Sequence, residues 1–175
     1  VELSIDAMNA FLESLRIVRF LLGNDDYEVA KELFLIGKVH EMRGEYEEAL
    51  HAYEETLRIE RSTLGLDHVE TLMTMYEIGR VYQNKGDLDE ALSVYHDVLF
   101  LAKEASGVEG LSVTFILGEM VAICLEVGNI DGARKLYAEV ASTINLDGDG
   151  RTLVDIVELA QVKDLLVNIP AAAAA

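Results

Sequence analysis

The residues of this chain that could do chemistry are few: one cysteine, four histidines and a run of acids near the C-terminal end. Cys124 lies in VTFILGEMVAICLEV with nothing basic beside it to lower its pKa, so it reads as a packing residue rather than a nucleophile. A single cysteine excludes an internal disulfide, and a reducing compartment, cytoplasmic by default, is expected. His40, His51, His68 and His96 show no paired helical spacing with other ligands. His68 follows Asp67, which is expected to cap the next helix. The run from Asn145 to Glu158 comes nearest to a metal site. Read as a calcium loop, it places Asn145, Asp147, Asp149 and Gly150 at ligand and turn positions but puts Ile156 where a bidentate glutamate is needed. It reads instead as a turn-rich linker with helix-capping aspartates. There is no phosphate-binding glycine loop. The expectation is no catalytic residue, no metal and no cofactor.

Whatever the chain does is therefore set by its framework. Three segments align at a spacing of 42 residues: GEYEEALHAYEETL from Gly44, GDLDEALSVYHDVL from Gly86 and GNIDGARKLYAEVA from Gly128. Each starts with glycine, places alanine five residues on (Ala49, Ala91, Ala133) and tyrosine nine residues on (Tyr53, Tyr95, Tyr137). Upstream, Leu33/Met75/Leu117, Ile36/Ile78/Met120 and Val39/Val81/Ile123 fall at the same spacing. Apolar residues recur at three and four, the period of a helix with one buried stripe. The glycine predicts a left-handed helix end, the alanine a close helix crossing, and the tyrosine the filler of the wider gap beyond it. One such pair cannot bury its stripe alone, whereas stacked neighbours can.

The predicted organisation is one array over 1–170. It comprises a lone second helix at 3–22, repeats at 26–63, 68–105 and 110–144, and a terminal helix at 152–169 stopped by Pro170. The alanines at 171–175 read as a tag or placeholder. The chain starts at Val1, partway through a repeat, so the native N-terminus is expected to be missing and no targeting segment is legible. The formal charge is −18, from 32 acidic and 14 basic residues. Such a field repels phosphate backbones and anionic lipid surfaces, which argues against nucleic-acid or membrane-surface binding. The apolar run around Cys124 is too short to span a bilayer and is broken by Glu119 and Glu126.

The stretch MYEIGRVYQNKGDLDEALSVY, Met75 to Tyr95, resembles the tetratricopeptide repeat. The 42-residue period and the connector LGLDHVET resemble the subclass found in kinesin light chains. The match weakens in repeat three, where Ser106-Gly107-Val108-Glu109-Gly110 replaces the connector and Val121 replaces the glycine held by Gly37 and Gly79. Val69 also stands where the subclass has proline. The resemblance implies an all-α, right-handed superhelix of antiparallel helix pairs that binds proteins and performs no chemistry.

In that family the first helix of each pair lines a concave groove for an extended peptide or a partner helix. By position, repeat one would present Lys31, Phe34, Lys38 and Glu41, and repeat two Met73, Tyr76, Arg80 and Gln83. Cations beside aromatic rings would suit an acidic segment with an apolar anchor. Against this, Lys38 and Arg80 could simply pair with carboxylates of so acidic a chain. Phe34-Leu35 and Tyr76-Glu77 stand where kinesin light chains have Asn-Asn, and the Lys and Asn that clamp a C-terminal carboxylate are missing, so neither specific mode transfers. Repeat three would present an apolar strip, Phe115, Gly118, Ala122 and Leu125. Either the final helix covers it, or a partner or a second copy does. Three functions remain open: a peptide-binding adaptor, a structural subunit fixed in a larger assembly, and an enzyme whose catalytic part lies outside this stretch and carries it as an appended repeat domain.

Overall fold

A computed structural model of the protein describes residues 2–104, 113–136 and 138. These residues form helices and the turns between them, with no strand among them. Contact density divides the chain into two compact units, Val1–Leu111 and Ser112–Ala175. The first holds α1 (Glu2–Leu22), α2 (Tyr27–Met42), α3 (Tyr46–Thr63), α4 (Val69–Lys85) and α5 (Leu88–Glu104). The second holds α6 (Val113–Glu126) and a helical run at 130–136. The terminal helix expected at 152–169 and the Asn145 to Glu158 linker lie outside the described residues.

In the first unit each helix packs on the next in chain order. The apolar stripes of α1, α2 and α3 close one core around Met8, Leu15, Val29, Leu33, Ile36 and Ile59. Ala49, Leu50, Tyr53, Ile78 and Val81 close a second between α3 and α4. Burial of such side chains is worth roughly 1.5–3 kcal/mol each and is the main force ordering the stack.

The turns form as their residues dictate. Gly86 ends α4 at φ 93°, a left-handed conformation that a Cβ would resist, and its N–H donates back to the carbonyls of Gln83 and Tyr82. Gly44 and Gly128 take the same hand at the equivalent positions. Asp26 caps α2, its carboxylate accepting from the Glu28 N–H at 2.9 Å. The cap of α4 differs from expectation. His68, not Asp67, occupies the N-cap, and its Nδ1 accepts from the Glu70 N–H at 3.3 Å. A shift of 42 residues carries Asp26 onto His68, so the helix start keeps the repeat register and the cap chemistry changes.

Ala49, Ala91 and Ala133 are fully buried, as are Tyr53 and Tyr95. The tyrosines explain a glycine inside the preceding helix. A Cβ on Gly37 would stand 2.7 Å from Cε1 of Tyr53, and one on Gly79 would stand 2.6 Å from Cε1 of Tyr95. The bare backbone is the seat for the ring. In the second unit Val121 fills that position and is itself buried, while the side chain of its register partner, Tyr137, lies outside the described residues.

Candidate functional site

The expected groove residues of the first two repeats come from α2 and α4, which are fastened to one another by ions. Glu41 and Glu77 are buried, and Lys38 and Arg80 lie over them half-buried. Lys38 Nζ sits 2.6 Å from Glu77 Oε1 and 3.8 Å from Glu41 Oε2. The Arg80 guanidinium donates to Glu41 and lies 3.2 Å from Glu77 Oε2. Burial works against the charge on Arg80, but Glu77 and Glu41 outweigh it and hold the guanidinium above its ordinary pKa. Asn84 and the Tyr53 hydroxyl also donate to Glu41, at 3.3 and 3.2 Å. Each repeat thus gives the other one acid and one base. The two cations meet carboxylates of their own chain.

The aromatic candidates are similarly engaged. Phe34 packs on Tyr53 with ring centroids 5.4 Å apart, and Tyr76 stacks on Tyr95 at 5.6 Å. Lys38 Nζ lies 5.7 Å from the Phe34 centroid. Gln83 accepts the Tyr95 hydroxyl at 2.8 Å, the repeat-two counterpart of Glu41 accepting from Tyr53. Lys31 pairs with Glu28 at 2.7 Å and lies over the Tyr27 ring. Met73 is 41% exposed.

Lys31, Phe34 and Met73 come together with five residues not selected from sequence, Tyr27, Leu35, Glu60, Glu70 and Thr74, around a cavity of about 320 Å³. That volume reaches the lower end of pockets that enclose a small ligand, roughly 300–1,000 Å³. Its mouth is apolar, with Leu35 and Met73 both partly exposed. Its wall is not. Glu60, from the last turns of α3, is only 4% exposed, and its Oε2 finds no hydrogen-bond partner among the described residues. Thr74 Oγ1, equally buried, finds none either. Burial pushes the Glu60 carboxyl up to about 7; the neighbouring Thr74 hydroxyl opposes the shift, and Glu70 adds to it. The Tyr27 hydroxyl donates to Glu70 across the same rim. Glu60 escaped sequence reading because an acid late in an amphipathic helix looks like a solvated face. The available signal was its register, four residues after buried Thr56 and seven after buried Tyr53.

In the second unit Phe115 (40% exposed) and Ala122 are exposed, while Gly118 and Leu125 are half-buried. Ile116, Leu117, Met120, Val121 and Ile123 are fully buried. Cys124 is buried and its thiol is pushed up by that burial. Among the described residues no group of three His, Cys, Asp or Glu is placed to hold a metal ion, and no helix is long and apolar enough to cross a membrane.

Residues 35–104 match the model of the tetratricopeptide repeat. No curated protein matches the chain significantly. Among solved structures, the chain is similar to a kinesin-light-chain-like protein of Podosopora anserina with nearly identical TPR-like repeats. The TM-score is 0.73 at 20% identity, over 93% of this chain and 78% of that one. A point-substituted form of the same protein gives 0.73 at 19% identity, with the same coverage. BtubC (BKLC) of P. vanneervenii gives 0.73 at 14% identity, over 85% of this chain and 60% of that one. The fold is the all-helical TPR-like solenoid, with kinesin-light-chain-like repeats as its structural neighbours. Tetratricopeptide repeats support a protein–protein interaction scaffold.

Proposed function

We propose that the α2/α4 face binds a peptide or partner helix, making the protein a non-catalytic adaptor or scaffold. The cavity carries this reading, because two successive repeats place Leu35, Phe34 and Met73 around one opening that could take an apolar anchor. A partner side chain seated there would remove exposed apolar surface at ~25 cal/mol per Å². An acidic segment is a poorer fit than Lys31, Lys38 and Arg80 suggest by themselves, because each already lies against a carboxylate. The test is a photo-crosslinking residue at Met73, compared with one at exposed Glu54 on α3. Position 73 should capture a defined protein that position 54 does not, and Leu35→Glu should abolish the adduct. Equal labelling at both positions would count against the groove.

A second reading, a subunit fixed in a larger assembly, is favoured by one observation. Along α1, Ile17, Phe20 and Leu21 share a face and are 49%, 88% and 68% exposed. A subunit of this kind should self-associate or aggregate alone, which sedimentation velocity measures directly.

A further inference from the structure

The second helices of the array share one side face, formed by Ala10, Phe11 and Ile17 in α1 and by Ala52, Tyr53 and Ile59 in α3. In α3 it is closed by α2. Ala52 and Ile59 join a core with Val29 and Leu33, the Thr56 hydroxyl lies 3.4 Å from the Ala30 carbonyl, and the Tyr53 ring rests on bare Gly37. Ala52, Tyr53 and Ile59 are buried. In α1 the same face is open. Ala10 is exposed, Phe11 is half-buried, Ile17 is 49% exposed, and Leu21, one turn on, is 68% exposed. Among the described residues α1 packs on α2 through another side, at Met8 and Leu15. Closing the face takes what α2 brings to α3, an antiparallel helix with an apolar stripe and a small residue where the aromatic ring must rest.

In α2 that pattern is Leu33, Ile36, Gly37 and Val39, and α4 repeats it as Met75, Ile78, Gly79 and Val81. Both helices are already packed between neighbours. α6 keeps the apolar residues but puts Val121 in the small position. The helix expected at 152–169 carries the whole pattern, as Ile156, Leu159, Ala160 and Val162. Its match falls three residues ahead of the 42-residue count, which would put Lys163 in the small position. In a solenoid, neighbours in chain order pack together. The 152–169 segment and α1 are the extremes of that order, so they meet between copies.

We propose that the α1 face is the docking site for the 152–169 segment of a second copy, with Ala160 against Phe11 and the apolar stripe over Ala10 and Ile17. This rests on the subunit reading above and names the subunit's neighbour. The contact is head to tail, so each docked copy still offers either an α1 face or a segment to the next.

The test is sedimentation velocity of the full chain at about 0.15 M salt, where a Debye length of ~8 Å screens the acidic surfaces from one another. Mass should rise with concentration beyond that of a dimer. Ile17→Glu on α1 and Ala160→Arg on the segment should each leave a monomer. Met42→Glu, which also puts a charge on apolar surface (Met42 is 85% exposed), should change nothing. The thermal transition of each variant verifies its fold, and Ile156→Glu repeats the tail lesion should Ala160→Arg melt early. Mixed in equal amounts, the two monomeric variants should form a dimer and stop there, because one keeps its segment and the other its α1 face. A mixture that stays monomeric while the wild type associates overturns the inference, since both lesions then lie in one symmetric contact. Association of Ala160→Arg at the wild-type level also overturns it but leaves the α1 face to the subunit reading. A wild-type chain that stays monomeric overturns the inference and the subunit reading together, and the crosslinking at Met73 decides the groove separately.

Discussion

A methyl group on Gly79 would stand 2.6 Å from the ring of Tyr95, and neither side has room to retreat because Tyr95 is fully buried. Gly79→Ala should therefore destabilise the protein by about 1–3 kcal/mol, although alanine is the better helix former by about 1 kcal/mol. The urea midpoint measures it, and the penalty should largely vanish in a Tyr95→Leu background. Glu60 predicts the opposite sign. Its carboxyl titrates near 7 in the fold against an ordinary 4.5, because burial disfavours the charge. Between those values the folded chain holds a proton that the unfolded chain has released, so Glu60 makes stability fall as pH rises from 4.5 to 7. Above 7 the cost is fully present. Glu60→Gln should raise stability by about 1–2 kcal/mol at pH 8 and change little at pH 4, by denaturant unfolding at each pH.

At the scale of helices, the four ions joining α2 to α4 decide how firmly one repeat holds the next. Glu41 is 9% exposed and contacts Arg80, Lys38, Asn84 and Tyr53. Arg80→Met should cost about 1–3 kcal/mol, below the range for a fully buried pair because the guanidinium is partly open to solvent. A double-mutant cycle with Glu41→Gln should show coupling, whereas Arg80 and exposed Glu13 on α1 should behave additively. The helices themselves were legible from sequence. The 42-residue self-match located their glycine ends, the buried alanines and the tyrosine fillers, because each is a local steric demand repeated in register. The ion exchange was harder to read. Arg80 and Glu41 are 39 residues apart, and their meeting depends on how α2 and α4 lie side by side, which a period does not specify. The candidate site was half legible for the same reason. Lys31, Phe34 and Met73 followed from their place in the repeat, but Glu60 comes from α3, the helix of the pair assigned only to scaffolding.

For the whole molecule, the balance is between a strongly acidic exterior and an apolar face on α1. Self-repulsion at −18 opposes non-specific association, yet Phe20 and Leu21 expose far more than half their surface. Screening should tip the balance. Raising salt from about 0.01 M, where the Debye length is ~30 Å, to about 0.15 M, where it is ~8 Å, should increase self-association. Phe20→Ser with Leu21→Ser should abolish that increase in light scattering. An unchanged salt response in the double variant would clear the α1 face of this role.

The exchange of ions between α2 and α4 also bears on whether the repeats are interchangeable parts. In sequence the 42-residue unit looks like something that could be duplicated or excised in frame. The positions equivalent to Glu77 and Arg80 one period later are Glu119 and Ala122. A chain shortened by one period would offer Lys38 its acid again but would give Glu41 a methyl group in place of a guanidinium. The repeat is periodic in sequence and ordered in charge: repeat two supplies both the acid and the base that meet repeat one, and repeat three would supply only the acid.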